Sequence, residues 1–204
     1  MKLIKKPARG RPRSFDRGQV LERALLLFWR NGYEGTSIAE LTATLGLTPP
    51  SLYAAFGSKE LLYREVLERY LASRGATMMA ALEQPGPARA AIAAMLARAA
   101  ALFAGDDTPC GCLIASGALR CGPENEAIAR HTASLRQMAG EAILRRVERA
   151  RADGELAPDS DGAALAAFYA SVIQGMSVQA IDGASRAQLY AIAGCALAAW
   201  PACP

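Results

Sequence analysis

Between Ser37 and Leu62 the chain reads SIAELTATLGLTPPSLYAAFGSKELL, a run in which helix starts and stops follow one another closely. Ser37 with Glu40 three residues on forms a capping box: the serine oxygen takes a free N–H of the first turn while the carboxylate reaches back. Gly46 supplies a stop. Thr48 then caps a new helix, with Pro49 at its first position, where a missing N–H costs nothing. Ser58 caps the next. The signals predict two short helices joined by a tight glycine-containing turn, which is a helix-turn-helix unit. The second of them is too short to be stable alone. It must be held by neighbours along one face, which leaves the other face free and suits a helix that enters a DNA major groove.

The flanks agree. Asp16 caps a helix to about Asn31 whose apolar side is Leu21, Leu25 and Phe28, with Gly32 as the stop. Ser58 opens SKELLYREVLERY, with Leu62, Val66 and Tyr70 on one stripe. QPGPA (Gln84 to Ala88) breaks that helix and marks an approximate domain boundary. Further helices are expected to about Ala104, from Thr108, from Glu124 to about Asp153, from about Asp159 to Ile181 and from about Ser185 to Trp200. Alanine dominates the 52% hydrophobic content, only 6% of residues are aromatic, and no strand-like alternation occurs. The expected fold is all-α, about nine helices. A flexible basic arm (1–15) precedes a DNA-binding domain (16–70), which a long fourth helix joins to an effector-binding and dimerisation domain (71–204).

Charge is unevenly spread. Residues 1–75 carry a net +6 and the remainder a net −2, which points to a polyanion partner at one end. No secretory signal is visible. The uncharged stretch from Gly162 to Ile181 is rich in Ala, Gly and Ser and is expected to be too weakly apolar for membrane insertion. Together with an odd count of five cysteines lacking a disulfide framework, this predicts a cytoplasmic protein with reduced thiols.

GYEGTSIAELTATLGLTPPSLYAAFGSKELLYREVL (Gly32 to Leu67) resembles the DNA-binding domain of the TetR/AcrR (tetracycline-repressor) family in spacing, caps and helix order, and GCLIASGALRCGPENEAI resembles segments of its effector domains. The resemblance implies a homodimer that binds an operator in double-stranded DNA, usually as a repressor, and is released by a small ligand. It implies that Thr48, Pro49, Ser51 and Tyr53 face DNA, that Thr36, Ser37 and Lys59 approach phosphate, and that Leu52 and Phe56 fix the recognition helix. Independently of it, the helix N-termini at Ser37 and Ser58 offer N–H groups to phosphate. The recognition helix holds no Arg, Lys, Asn or Gln, the side chains that read bases bidentately, which shifts specificity toward DNA shape and the arm. There, ARGRPR, with Arg9 and Arg11, is similar to the Arg-Gly-Arg-Pro core of minor-groove AT hooks. A basic tail without that role is the other reading.

Helical bundles hold ligands between helices, so candidate effector-pocket residues are Met95, Phe103, Leu119, Leu135, Met138, Phe168, Tyr169 and Gln174, implying a largely apolar, uncharged effector. The last two helices are apolar nearly all round. Leu165, Val172, Met176, Leu189, Ile192, Ala196 and Trp200 are candidate dimer-interface residues for a four-helix bundle shared by two protomers. A single histidine (His131), scattered acids and no phosphate loop leave nothing from which to build an enzyme, and no cofactor or metal is expected. TPCGCLIASGALRC (108–121), if helical from Thr108, scatters Cys110, Cys112 and Cys121 too far apart for one metal ion. Packing accounts for Cys112, while a thiol-based redox or electrophile-sensing repressor using Cys110 and Cys112 is one alternative function. A ligand-independent architectural DNA-binding protein is another.

Overall fold

The computed structural model describes residues 16–105 and 108–201. Arg9, Arg11 and the rest of the arm lie outside them. Among the described residues the chain is entirely helical. α1 (Arg17–Asn31), α2 (Ile38–Leu45), α3 (Pro49–Phe56) and α4 (Lys59–Tyr70) come first. A π-helical turn, Leu71–Gly75, carries α4 without a break into the short α5 (Ala76–Met79). α6 (Ala88–Phe103), α7 (Leu113–Ser116), α8 (Glu126–Ala152), α9 (Gly162–Ile181) and α10 (Arg186–Ala198) follow.

The N-terminal helices form where their caps place them. Asp16 accepts from the N–H groups of Gly18 and Gln19, Thr48 from Ser51, and Ser58 from Leu61. The Ser37–Glu40 capping box is closed in both directions. Gly46 ends α2 in the left-handed conformation at φ +68°, which a side chain would resist. α1 packs against α4 and α2, and α3 bridges α2 and α4. Leu25, Phe28, Leu41, Leu52, Leu62, Val66 and Leu67 are buried where these helices meet. Full burial of a side chain such as Leu52 contributes about 1.5–3 kcal/mol, and this tertiary burial, rather than helix propensity, holds an eight-residue helix in place. Ion pairs Arg17–Glu65 (2.6 Å), Arg69–Glu22 (2.7 Å) and Arg74–Glu22 (2.6 Å) rivet α1 to α4 and the π turn.

In the C-terminal part, α9 packs on α8 and α6, and α10 on α6 and α9. α10 carries a second capping box, Ser185 with Gln188. α9 is long and apolar enough to cross a membrane, contrary to the sequence expectation, yet one side of it is built into this bundle. That side takes the bulky residues. Met176 and Leu189 are wholly buried within the protomer, and Ala196 and Trp200 nearly so, so these candidates for the dimer interface pack chiefly into the protomer's own core. Leu165, Val172 and Ile192 lie half-buried at the edge. The face left open is made of Phe168, Val178, Ile181 and Tyr190 with Ala167, Ser171, Gly175, Ala191, Gly194 and Cys195 between them.

The segment after Thr108 departs most from expectation. Only Leu113–Ser116 is α-helical, because Gly111 turns the chain at φ +79°. Its backbone lies so close to α9 that an added Cβ would fall 2.8 Å from Ile181 Cγ1 and 2.9 Å from the Ser177 carbonyl oxygen.

Candidate DNA-binding face and effector cavity

α3 sorts its residues cleanly. Leu52 and Phe56 are buried, while Thr48, Pro49, Ser51 and Tyr53 are exposed, Tyr53 at 45%. The Thr48 and Ser51 hydroxyls lie 2.9 Å apart, so one donates to the other and a single hydroxyl proton remains to reach outward. Tyr53 presents a ring and a hydroxyl free of protein partners among the described residues.

The flanking phosphate candidates differ in fate. Ser37 is exposed at the N-terminus of α2, but Glu40 already sits there, accepting from the Ser37 N–H (2.8 Å) and hydroxyl (2.9 Å). Those bonds hold the Glu40 carboxyl below its usual range, so an incoming phosphate must displace a carboxylate. Thr36 is a correction: its side chain is fully buried and its hydroxyl donates to the Gly32 carbonyl at 2.7 Å, ending the turn after α1 and leaving nothing for phosphate. Lys59 is half-buried, with its ammonium 4.2 Å from the Tyr33 ring centroid. Burial lowers its pKa against the opposing pull of Glu34. Arg17, Arg64 and Arg69 are held in ion pairs.

A cavity of about 70 Å³ lies between α4 with its π turn, the α7 segment, α8 and α9. Of the sequence candidates, Leu135 and Gln174 line it. Met95 and Phe103 are buried elsewhere, Tyr169 is buried with its hydroxyl donating to the Ala196 carbonyl (3.3 Å), and Leu119, Met138 and Phe168 face outward. The pattern of apolar positions separates neither cavity wall from core nor, at Leu119, Met138 and Phe168, inside from outside. The residues that sequence reasoning missed include Tyr70, Leu71, Met78, Met79, Arg136 and Ile173. Cys112, for which the sequence points to packing, is part of this wall.

Tyr70 and Cys112 touch each other: the phenol donates to Cys112 Sγ at 3.4 Å. Burial pushes the Cys112 thiol up, outweighing the Tyr70 bond and the N–H groups of Ala115 and Ile114 that favour its thiolate. A buried thiol held neutral lacks the thiolate that oxidant sensing needs. Cys110 is exposed, and its side chain borders a separate open cleft with Trp29 and Arg30. Among the described residues no cluster of His, Cys, Asp or Glu is able to hold a metal ion.

Two chain crossings tie the DNA-binding helices to the cavity. Trp29 Nε1 of α1 donates to the Gly111 carbonyl (3.2 Å), and the Tyr33 N–H donates to the Gly117 carbonyl (2.7 Å). The second depends on two glycines, since a Cβ on Gly32 would lie 3.1 Å from the Gly117 oxygen and one on Gly117 would lie 2.7 Å from the Tyr63 hydroxyl. Nearby, Glu34 accepts from the Gly122 N–H (2.9 Å) and the Asn125 amide (3.0 Å).

Residues 20–66 match the family model of bacterial regulatory proteins, tetR family. The chain is 39% identical over 197 residues to the HTH-type transcriptional repressor ComR of Escherichia coli (strain K12), covering 96% of this chain and 94% of that one. It is 31% identical over 198 residues to the repressor BdcR of the same organism, covering 95% and 94%. Among solved structures, the TetR family regulator CifR, as a cysteine mutant complexed with 26-base-pair operator DNA, superimposes with a TM-score of 0.90. It is 45% identical and covers 94% of this chain and 100% of its own.

Proposed function

Because this chain belongs to the TetR family of bacterial regulatory proteins, which are transcriptional regulators and not enzymes, we propose that it is a cytoplasmic repressor that docks as a homodimer on double-stranded operator DNA and lets go when a small apolar molecule enters the cavity. The observation that carries the reading is the division of α3 into a buried anchor, Leu52 and Phe56, and an exposed face, Thr48, Pro49, Ser51 and Tyr53. CifR, at 45% identity, was captured on its operator, and ComR and BdcR are repressors.

The open face of α9 and α10 supports the dimer: an uncharged surface of small residues around Phe168, Val178 and Tyr190 lets two helix pairs approach closely. Two copies of α3 then enter successive major grooves about 34 Å apart. A molecule that binds better to a conformation with another spacing draws the population away from the DNA-competent form. The boundary between the DNA-binding part and the effector part falls at the π turn, where α4 passes from one to the other. Ser37 and, once released from Tyr33, Lys59 contact backbone phosphates, and the arm with Arg9 and Arg11 adds the charge that the paired arginines of α1 and α4 do not offer.

Footprinting on the DNA flanking the protein's own gene tests this. The expected result is one protected palindrome with half-sites one helical turn apart, bound by a dimer. Uniform protection without a discrete site would refute the operator reading and favour an architectural role.

A further inference from the structure

We propose that Trp29 is the positioning residue through which occupation of the cavity reaches the DNA-binding helices, by way of Tyr70 and Cys112. The proposal rests on the reading of the cavity as the effector site and of α3 as the operator reader.

The cavity has one firm wall and one yielding wall, and Trp29 touches both. The firm wall is the segment at Cys112, with Gly111 behind it. Cys112 N–H donates to Ser177 Oγ of α9 at 2.8 Å, and Gly111 is packed against α9 without room for a Cβ. Trp29 hangs from that wall by its bond to the Gly111 carbonyl. The yielding wall is the end of α4. Tyr70 is its last α-helical residue, and the π turn Leu71–Gly75 begins at the next position. A π turn widens the helical ladder, so a shift there costs less than one inside a regular helix, and such turns recur at functional sites. Leu71, Gly75, Met78 and Met79 from this stretch all face the cavity.

At about 70 Å³ the space among the walls holds only a few non-hydrogen atoms, so a larger occupant that settles between them presses on them. The Tyr70 ring meets the Trp29 ring edge-on, with centroids 5.0 Å apart and planes at 85°. Arg74, within the π turn, lies over the indole at 5.5 Å and pairs with Glu22 of α1. Displacing Tyr70 therefore pushes on Trp29 while the Gly111 carbonyl stays with α9. The Trp29–Gly111 bond stretches, and α1, the helix on which α2 and α4 pack, changes its seat on the rest of the protein.

The test uses a built-in occupant in place of an unidentified ligand. Ala115 of α7 and Ala170 of α9 both line the cavity, so Ala115→Leu and Ala170→Met each place a larger side chain at its wall. Operator affinity is measured for each filler with Trp29 and with Trp29→Phe, which keeps an aromatic ring but loses the donor; thermal melts identify folded variants. Trp29 emission is followed in a Trp200→Phe background, since Trp29 and Trp200 are the only tryptophans. We expect a filler to shift Trp29 emission and weaken operator binding roughly 10-fold, within the usual range of allosteric coupling. With Trp29→Phe the same filler should weaken binding less than about 3-fold, the shortfall measuring the coupling. Equal weakening in both backgrounds would remove Trp29 from the route while leaving the cavity as the effector site. Folded fillers that bind operator like the parent protein would overturn the effector reading of the cavity, and the route with it.

Discussion

α3 and the α9–α10 pair each hide one side and show the other, but they show opposite chemistry. α3 presents hydroxyls and a tyrosine over a leucine–phenylalanine anchor, whereas α9 and α10 present methyl groups, glycines and isolated large apolar side chains. The first surface is satisfied by water until phosphates and bases replace it. The second is costly to leave in water and is best covered by an identical copy. The two surfaces therefore fail differently. Damage to α3 abolishes recognition in a protein that still folds and pairs, while damage to α9 and α10 leaves a folded protomer that cannot span two half-sites.

The largest expected effect lies on the apolar side. Val178→Arg combined with Tyr190→Arg should reduce dimerisation at least 100-fold by burying unpaired like charges. Sedimentation would show monomers, and half-site binding would be all that remains. A dimer that persists would move the interface away from α9 and α10. Next comes the anchor of the polar side. Leu52→Ala should destabilise the protein by about 2–5 kcal/mol, read from chemical denaturation, and lose operator binding with it. A surface change distinguishes recognition from stability: Tyr53→Ala should weaken operator binding roughly 10-fold, the size of a charged or groove-edge hydrogen bond with its packing, at a cost in stability within about 0.5 kcal/mol. If affinity were unchanged, Tyr53 would not face DNA. The smallest effect concerns what rivets α3's support. Burial pushes Glu22 up, but its bonds to Arg69 and Arg74 outweigh that and hold its carboxyl below the usual 4.5. Its contribution is thus present above pH 4.5 and fades as pH falls through the lowered native value. Glu22→Gln should flatten that part of the stability–pH curve by no more than about 1 kcal/mol, as expected for a partly exposed pair.

The same contrast explains what could be read from sequence. Asp16, Ser37 with Glu40, Thr48 with Pro49, and Ser58 fixed the N-terminal helices because a cap is a contact between residues three apart or fewer. α9 and α10 read as apolar, yet their alanine-rich faces carry no periodic contrast, so the sequence alone does not tell that Met176 and Leu189 pack inward. The stretch from Thr108 resembled a helix because the feature that prevents one, Gly111 turning against Ser177 and Ile181, is a contact across more than sixty residues. Thr36 differs: its bond reaches only four residues back, to the Gly32 carbonyl, but its full burial is set by tertiary packing that the local sequence does not carry.

The face of α3 carries one further consequence. A bidentate base contact is worth about 1–3 kcal/mol of discrimination against a wrong base pair, and α3 has no side chain that makes one. Mismatches in the groove should then be cheap, and related sequences would compete with the intended promoter on nearly equal terms. For such a protein, cellular copy number governs the response: scarce molecules occupy only the best site, and overproduction spreads them across its imperfect relatives.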